Sequence, residues 1–419
     1  MQNDPALEAF DRLRVREVRA EFGDTVFAFL PNFQSTAASL EPDERIKIDV
    51  NYLCKNMESL KAVLADPQAS KICALRWEYN GEENVNSIIP LLISNCPELA
   101  SLDVYFNHHS AFDFASSLLE HPCTKIKVLE MLGSTEGDLA RFFAALGRSQ
   151  VSALALYDSS EVAQGLHEYL ARDLLVRLNV RVGNEQILLE MMTLLANCTR
   201  LAKLEMSQYK LSQSTAFNYF PKSVTKLGLD NCAFVGGFDW SFLADSNVRE
   251  LDLFWVSVVN GNQLGGALAV HLRAKGLDEL RFYDCDFVDE TLAVVGVEVG
   301  RIKRLEIYSN LSDASIKLIA TALKSPNNEM KELKVEYDRD AASIETLLMP
   351  ALNHPNCNLA KLRLWALSEH EKAAKRVEDM FCNRLTLFVL LQGKQVKKRY
   401  CPLRRLPVEM FRLVGAALI

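Results

Sequence analysis

Histidine, cysteine and acidic side chains are the groups in this sequence that could carry chemistry. The pair His108–His109, followed by Asp113, has the residue types of a divalent metal site, because imidazole nitrogens and a carboxylate bind zinc. Adjacent side chains point apart on most backbones, so we interpret this pair as part of a loop. The other histidines also fall mostly in predicted loops and helices, not on the strand faces where a catalytic constellation could be held rigidly. We therefore expect no metal and no cofactor.

The sequence gives equally little indication of reactive thiols or of known catalytic motifs. The chain has 10 cysteines, and no two of them have the CxxC spacing of a zinc or redox site. In a chain of 419 residues this pattern favours reduced thiols over a disulfide framework. The motifs GxxxxGK[ST], GxSxG and HExxH are all missing from the sequence. The sequence therefore predicts a protein that is not an enzyme.

Charge and hydropathy exclude two further classes of ligand. The 47 basic and 54 acidic residues give a net charge of −7, which disfavours nucleic acid because phosphate binding needs a basic patch. No apolar run is long enough to cross a bilayer, and the first residues, MQNDPALEAFDRLRVREV, are too charged for a signal peptide. We expect a monomeric cytoplasmic protein that binds neither nucleic acid nor a membrane.

A repeat accounts for most of the chain. The pattern apolar-x-x-Leu-x-apolar occurs thirteen times between Ile72 and Leu390, at spacings of 23 to 29 residues, and residues 43–51 form a degenerate earlier copy. The central residue is phenylalanine in the last copy, Phe388, and leucine in the other twelve: Leu75, Leu102, Leu129, Leu154, Leu178, Leu204, Leu227, Leu251, Leu280, Leu305, Leu333 and Leu362. The spacing predicts about 13 to 14 repeats, each with a short strand.

A turn residue follows each predicted strand. Eight residues after the start of a copy stands asparagine or cysteine in five cases: Asn80, Asn107, Cys232, Cys285 and Asn310. Such a side chain turns inward and satisfies backbone groups where the chain leaves the strand. Val256 and Leu367 take this place in two repeats, and there we expect irregular turns.

Segments with helical spacing separate the strands. Ile316, Ile319 and Leu323 are one example, whereas residues 211–223 and 236–247 lack this spacing and predict loops or short 3-10 turns. Strands that alternate with helices at this period form a parallel sheet with the helices outside. The expected fold is an α/β solenoid, a horseshoe with a concave sheet.

Two of these segments carry a resemblance to a known family. Leu311–Leu323 (LSDASIKLIATAL) and Gln263–Leu272 (QLGGALAVHL) resemble the ribonuclease-inhibitor-like class of leucine-rich repeat proteins. The resemblance covers roughly residues 43–392. It implies a horseshoe that binds a protein on its concave face.

The ends are expected to cover the outermost repeats. We predict an N-terminal cap over residues 1–42, in which the spacing of Leu7, Phe10, Val18 and Phe22 favours an amphipathic helix, and a capping helix within residues 393–419. The tail segment LPVEMFRLV is similar to the opening of an F-box, a module that docks substrate receptors onto ubiquitin ligases. An F-box-like receptor is therefore an alternative to a simple cap.

Aromatic residues mark the candidate binding surface. The position after the third apolar residue of each copy points into the concave cavity, and six of thirteen such residues are aromatic, against 9% in the whole chain. Rigid aromatics on a sheet are typical interface anchors. With one adjacent tryptophan and two intervening charges, the predicted protein-binding residues are Tyr105, Tyr157, Phe254, Trp255, Arg281, Tyr283, Glu306, Tyr308 and Trp365.

The charges beside this column have a second interpretation. They are mixed in sign, and many are expected to pair across adjacent strands. We conclude that the chain is a non-catalytic scaffold for a protein partner. The open alternatives are the ubiquitin-ligase receptor, a pathogen effector that binds a host protein, and an enzyme with an unfamiliar site, which would need a pocket of perturbed titratable groups.

Overall fold

The structure is a computed structural model. It describes residues 14–20, 26–41, 44–50, 57–79, 84–106, 110–133, 137–156, 166, 169–170, 172–181, 185–207, 210–211, 215–235, 238–309, 311–336, 341–365 and 377–379. The chain folds as two compact units, Met1–Val259 and Asn260–Ile419. The boundary between them falls inside the predicted solenoid.

The first unit is built on a parallel sheet. Among its described residues ten strands pair in chain order. They are β1 (Arg14–Ala20), β2 (Glu44–Val50), β3 (Ile72–Tyr79), β4 (Ser101–Phe106), β5 (Val128–Gly133), β6 (Ala153–Leu156), β7 (Arg177–Arg181), β8 (Lys203–Ser207), β10 (Lys226–Asp230) and β12 (Glu250–Phe254). A small parallel sheet of two-residue strands accompanies the later repeats: β9 (Lys210–Leu211), β11 (Ala233–Phe234) and β13 (Ser257–Val258).

Helices connect the strands of the first unit. They are α1 (Val26–Ala38), α2 (Met57–Ala65), α3 (Ile89–Asn95), α4 (Ala111–Leu119), α5 (Leu139–Arg148), α6 (Glu185–Leu195) and α7 (Ser241–Asp245). The 3-10 helix Thr215–Tyr219 confirms the predicted short turn in the first of the two segments without helical spacing. The second segment forms α7, a helix of only 5 residues.

The second unit repeats the same alternation. Its described strands, β14 (Leu277–Tyr283), β15 (Ile302–Tyr308), β16 (Glu332–Glu336) and β17 (Lys361–Trp365), pair in parallel. Its helices are α8 (Gly261–Lys275), α9 (Val288–Val295), α10 (Asp313–Leu323) and α11 (Ala341–Leu352). In α10 the Ser312 hydroxyl caps the first turn by accepting from the amide of Ser315, and the helical spacing puts Ile316, Ile319 and Leu323 in the core.

The central leucines form the core, as the repeat predicted. Neighbouring strands align them in register, from Leu75 to Leu251 in the first unit and from Leu280 to Leu362 in the second. Each of the twelve is at most 5% exposed. Each unit thus has the architecture of leucine-rich repeats, and the α/β fold class is confirmed. The thirteenth copy, near Phe388, lies outside the described residues.

The N-terminal region differs from its prediction. Residues 14–20 form strand β1, which pairs in parallel with β2, and not the expected amphipathic helix. Val18 lies opposite Ile48 in this pairing, and both side chains are buried. Strand β2 itself confirms the degenerate repeat over residues 43–51, because Ile48 aligns with Leu75. The tail 393–419, with its F-box-like segment, lies outside the described residues.

Among the cysteines that the structure describes, none forms a disulfide bond. Seven are free, and five of these are buried: Cys73, Cys96, Cys198, Cys232 and Cys285. Burial raises the pKa of Cys73 and of Cys198 to about 11 and that of Cys96 to about 12, so these thiols stay protonated and unreactive. The described residues contain no group of histidine, cysteine and acidic side chains that could hold a metal, and no helix suited to cross a membrane.

Candidate interaction surface

The candidate surface is the face of each sheet opposite the leucine core, which we call the open face. Strand residues alternate between the two faces, so Ser101, Asp103 and Tyr105 of β4 are half-buried while Leu102 and Val104 between them are buried. The open face therefore carries the side chains that can meet a ligand.

A cavity of about 230 Å³ lies on the open face of the first unit, over strands β8, β10 and β12. Its origin is Gly228, which stands at the middle of β10 between Glu205 on one neighbouring strand and Asp252 on the other. A Cβ atom at this position would lie 2.8 Å from the Cγ of Glu205. Glycine thus leaves open a space that any other residue would begin to fill. We call this space the Gly228 pocket.

Two carboxylates beside the pocket are neutralised by lysines. Asp252 is only 3% exposed, and its Oδ2 lies 2.9 Å from the Nζ of Lys226. Burial disfavours the charge of Lys226, but Asp252 and Glu250 outweigh it and raise the pKa of this lysine. Glu205 Oε1 lies 2.8 Å from the Nζ of Lys203. These two acids therefore have their own cations.

Asp230, which also lines the pocket, is in a different position. It ends strand β10, and one oxygen of its carboxylate is buried and accepts no hydrogen bond from the described part of the chain. No lysine or arginine among those residues forms an ion pair with it. Burial, and then the negative charge of Glu205, raise the pKa of Asp230. A positive group placed in the pocket would relieve both effects.

Phe254 and Trp255 supply the aromatic wall of the pocket. Phe254 pairs with Asp230 across the sheet and is half-buried, whereas Trp255 is 55% exposed. Trp255 has a φ of +49°, in the left-handed region that bulky residues rarely adopt. An exposed tryptophan on a strained backbone is typical of a functional position.

This finding corrects the irregular turn expected at Val256; the one expected at Leu367 lies outside the described residues. Asn231 and Asp284, at the equivalent place in two other repeats, have φ values of +51° and +49°, so the turn at Trp255 has the regular backbone of the repeat. The chain keeps this conformation although asparagine and aspartate tolerate it better than tryptophan does. Cys232 confirms the predicted inward turn residue, since it is buried and its Sγ donates to the carbonyl of Asp230.

The second unit brings four of the predicted residues together. The rings of Tyr283 and Tyr308 lie with their centroids 5.4 Å apart, at an interplanar angle of 40°. Arg281 and Glu306 lie beside them, with 3.7 Å between Nε and Oε2. The two tyrosines form an aromatic pair on the open face of β14 and β15.

The charges of the second unit are engaged with one another. Glu279, 3% exposed, lies 2.6 Å from Arg281 Nη2 and 2.8 Å from Arg304 Nη1. Glu306 forms ion pairs with Arg281 and Lys334. We call this set the charge ladder; it extends to β16 and β17, where Glu332 Oε1 lies 2.6 Å from Lys361 Nζ. Arg281 and Glu306 thus serve the sheet itself, as the alternative interpretation of the charges expected.

The remaining predicted residues lie apart. Tyr105 is half-buried on the open face of β4, and Trp365 ends β17, although its side chain is outside the described set. Tyr157 lies outside the described residues altogether. Gly228 and Asp230 were missed by the sequence analysis; a glycine in the middle of a repeat strand was the available signal, because it marks a close approach or a gap.

One more titratable group stands out on the open face of the first unit. Burial and the charge of Glu130 raise the pKa of Asp103 to about 6. Arg76 lowers it from a distance of 3.4 Å, between Nε and Oδ2, without restoring the ordinary value. Asp103 therefore titrates at a pH where an ordinary aspartate is fully ionised.

No protein-family model matches the chain, and no curated protein sequence matches it. Among solved structures the chain is similar to a plant peptide hormone receptor, RGFR1, in complex with RGF2. The two chains are 11% identical with a TM-score of 0.31, and the match covers 71% of this chain and 50% of the receptor chain. The chain thus matches about half the length of that receptor chain.

Proposed function

We propose that this protein is a non-catalytic scaffold that binds a protein partner on the open face of its parallel sheet. The observation that carries the proposal is Trp255, an exposed tryptophan held in a strained turn beside the Gly228 pocket. A rigid aromatic side chain loses little conformational entropy on binding and contributes a large contact area. The tyrosine pair Tyr283 and Tyr308 offers a second anchor in the second unit.

A role in catalysis lacks comparable support. Asp103 and Asp230 are perturbed carboxylates, and the hydroxyl-bearing Ser207 lines the Gly228 pocket beside Asp230, but no described histidine lines that pocket. The Gly228 pocket is smaller than the roughly 300 to 1,000 Å³ of ordinary small-molecule sites, which favours contact with a protruding side chain of a protein.

Finer assignments belong to the same proposal. We infer membership of the ribonuclease-inhibitor-like class from the two resembling segments, one of which lies within helix α8 and the other of which contains helix α10. A cytoplasmic location is supported by the seven free cysteines, since reduced thiols are typical of that compartment. Residues 1–42 and 393–419 remain proposed covers of the two ends, and the protein is proposed to be a monomer.

Affinity capture with paired baits tests the binding face. The wild type and a variant with Phe254, Tyr283 and Tyr308 all changed to alanine are used on a lysate of the source organism. The matched control is Val270→Ala with Val294→Ala, which removes exposed apolar side chains of helices α8 and α9. We expect a partner that wild type and control retain and the triple variant loses. A partner retained by the triple variant and lost by the control would refute the open face as the binding surface.

A further inference from the structure

We propose that the Gly228 pocket binds one arginine side chain of the protein partner. The inference rests on the proposed function, because it assumes that a partner meets the open face. It adds the feature by which the partner is recognised, namely an exposed arginine in the segment of the partner that lies over β10 and β12.

Size is the first argument. The cavity of about 230 Å³ is too small for a folded element and offers room for a single long side chain. Its floor is the backbone of Gly228, at which any Cβ would approach Glu205. The pocket is thus a narrow depression between two strands, entered from the open face.

Charge is the second argument. Glu205, Asp230 and Asp252 all line the cavity, and no basic side chain among the described residues does. Glu205 and Asp252 form ion pairs with Lys203 and Lys226, whereas Asp230, which has a buried oxygen without a hydrogen-bond donor, forms no ion pair among the described residues. An incoming cation is needed to match the third carboxylate. An anion is excluded by the same charges.

The aromatic wall selects arginine among cations. Phe254 is the cross-strand neighbour of Asp230, and Trp255 follows it in the chain. A guanidinium group is planar, so it can stack on an aromatic ring while it donates two hydrogen bonds to one carboxylate. A lysine ammonium is a compact, strongly hydrated charge; it can pair with the carboxylate but has no plane to stack on the aromatic ring. A bound metal is disfavoured because no group of three suitable ligands occurs among the described residues.

The pocket is also held in place before any ligand arrives. The amide of Asn231 donates to the carbonyl of Phe254 at 2.8 Å, and the amide of Ser257 donates to the carbonyl of Cys232 at 2.9 Å. These bonds fix the turn on both sides of Trp255. A site whose walls are already ordered loses less entropy on binding, which suits recognition of one side chain.

The test uses blocked amino acids as probes and the full chain as receptor. N-acetyl-arginine amide is titrated to millimolar concentrations while the indole N–H resonance of Trp255, assigned with Trp255→Asn, is followed by nuclear magnetic resonance. N-acetyl-citrulline amide has almost the same shape without the charge, and N-acetyl-lysine amide has the charge without the plane. We expect saturable shifts with arginine, at least tenfold weaker binding of lysine, and no saturation with citrulline.

Three variants locate the binding. Asp230→Asn keeps the size of the side chain and removes its charge, so we expect at least tenfold weaker arginine binding; Gly228→Ala narrows the pocket and should act in the same direction. Asp278→Asn, an acid of an exposed pair on β14, is the matched control and should bind like the wild type. Thermal unfolding of each variant verifies that it is folded.

Several results would overturn the inference. These are binding of citrulline as strong as that of arginine, binding of lysine as strong as that of arginine, or an equal effect of Asp230→Asn and Asp278→Asn. Because the probes are single amino acids, their failure leaves the lysate capture unaffected. Conversely, a partner that the triple variant retains and the control loses would refute the proposed function even if the probes bind.

Discussion

The open face has two contrasting regions, the Gly228 pocket in the first unit and the charge ladder in the second. The same column of repeat positions reads Glu205, Gly228 and Asp252 in β8, β10 and β12, but Arg281, Glu306 and Lys334 in β14, β15 and β16. In the ladder, opposite charges on adjacent strands satisfy one another. In the pocket the column reads acid, glycine, acid; Glu205 and Asp252 pair with Lys203 and Lys226, whereas Asp230 forms no ion pair among the described residues.

The contrast shows that the same repeat can carry different charges on its open face while its core stays the same. The buried leucines are alike in both regions, since every one of them lies in register with its neighbour. What differs is the sign and size of the residues between them. Where the signs alternate, the charges of the face are engaged in ion pairs with one another, whereas the gap flanked by carboxylates is where we propose that the partner binds.

Breaking the ladder should have the largest effect on stability. Glu279→Gln leaves Arg281 and Arg304 without their shared carboxylate in a nearly dry position, so we expect unfolding to become easier by about 2 kcal/mol. Urea unfolding at neutral pH measures it. The control Asp278→Asn breaks the more exposed pair with Lys303 and should cost less than about 0.5 kcal/mol. Equal losses would show that the ladder adds nothing beyond ordinary surface pairing.

Trp255→Asn should separate binding from stability. Asparagine tolerates a positive φ, as Asn231 does in the neighbouring repeat, so we expect the free energy of unfolding to change by less than about 1 kcal/mol. Binding of the captured partner should weaken by about 2 kcal/mol, roughly 30-fold in Kd, as for a typical aromatic anchor. Calorimetry and urea unfolding measure the two. A variant that binds normally would remove Trp255 from the interface.

Asp103→Asn should change the pH dependence of stability. The pKa of Asp103 in the folded protein is about 6, above the ordinary value of 3.8, so the folded protein binds this proton more tightly than the unfolded chain does. The stabilisation that results is complete below pH 3.8 and is lost as the pH rises through about 6. Asp103→Asn has no titrating group at this position and therefore does not lose stability in this way. We expect its Tm to exceed that of the wild type at pH 7.5 and the difference to shrink at pH 4. A constant difference across this range would contradict the raised pKa.

The smallest effect on stability is expected at the pocket. Asp230→Asn removes a carboxylate whose burial and repulsion by Glu205 disfavour its charge, so Tm should stay the same or rise slightly at neutral pH. This is the opposite sign to Glu279→Gln. Loss of stability in Asp230→Asn would mean that its charge is already matched within the chain, and the contrast between the two regions would disappear.

The sequence predicted the fold well because the core residues of each repeat lie close together in the sequence, within a single strand and the segment that follows it. Leu251 and Leu280 can be recognised from their own strands alone. Strand β1 was missed because its segment RVREVRA has only two apolar side chains besides alanine, Val15 and Val18, which fit a helix as readily as a short edge strand.

The pocket could not be read from the sequence in the same way. Glu205, Gly228 and Asp252 are more than twenty residues apart from one another, and they meet only through the register of three strands. The aromatic column drew attention to Phe254 and to Trp255 beside it, and both residues line the pocket. Which charges are already paired, as Arg281 and Glu306 are, depends on side-chain geometry that no single strand contains.

Hydrogen–deuterium exchange on the complex with the captured partner tests the central claim most directly. We expect exchange to slow at the backbone amides of 228–231 and 250–258, the strand ends and turns around the Gly228 pocket. Exchange in helices α4, α5 and α6 of the same unit should be unchanged and serves as the internal control. Slowing confined to those helices would contradict the account, because the partner would then bind away from the open face.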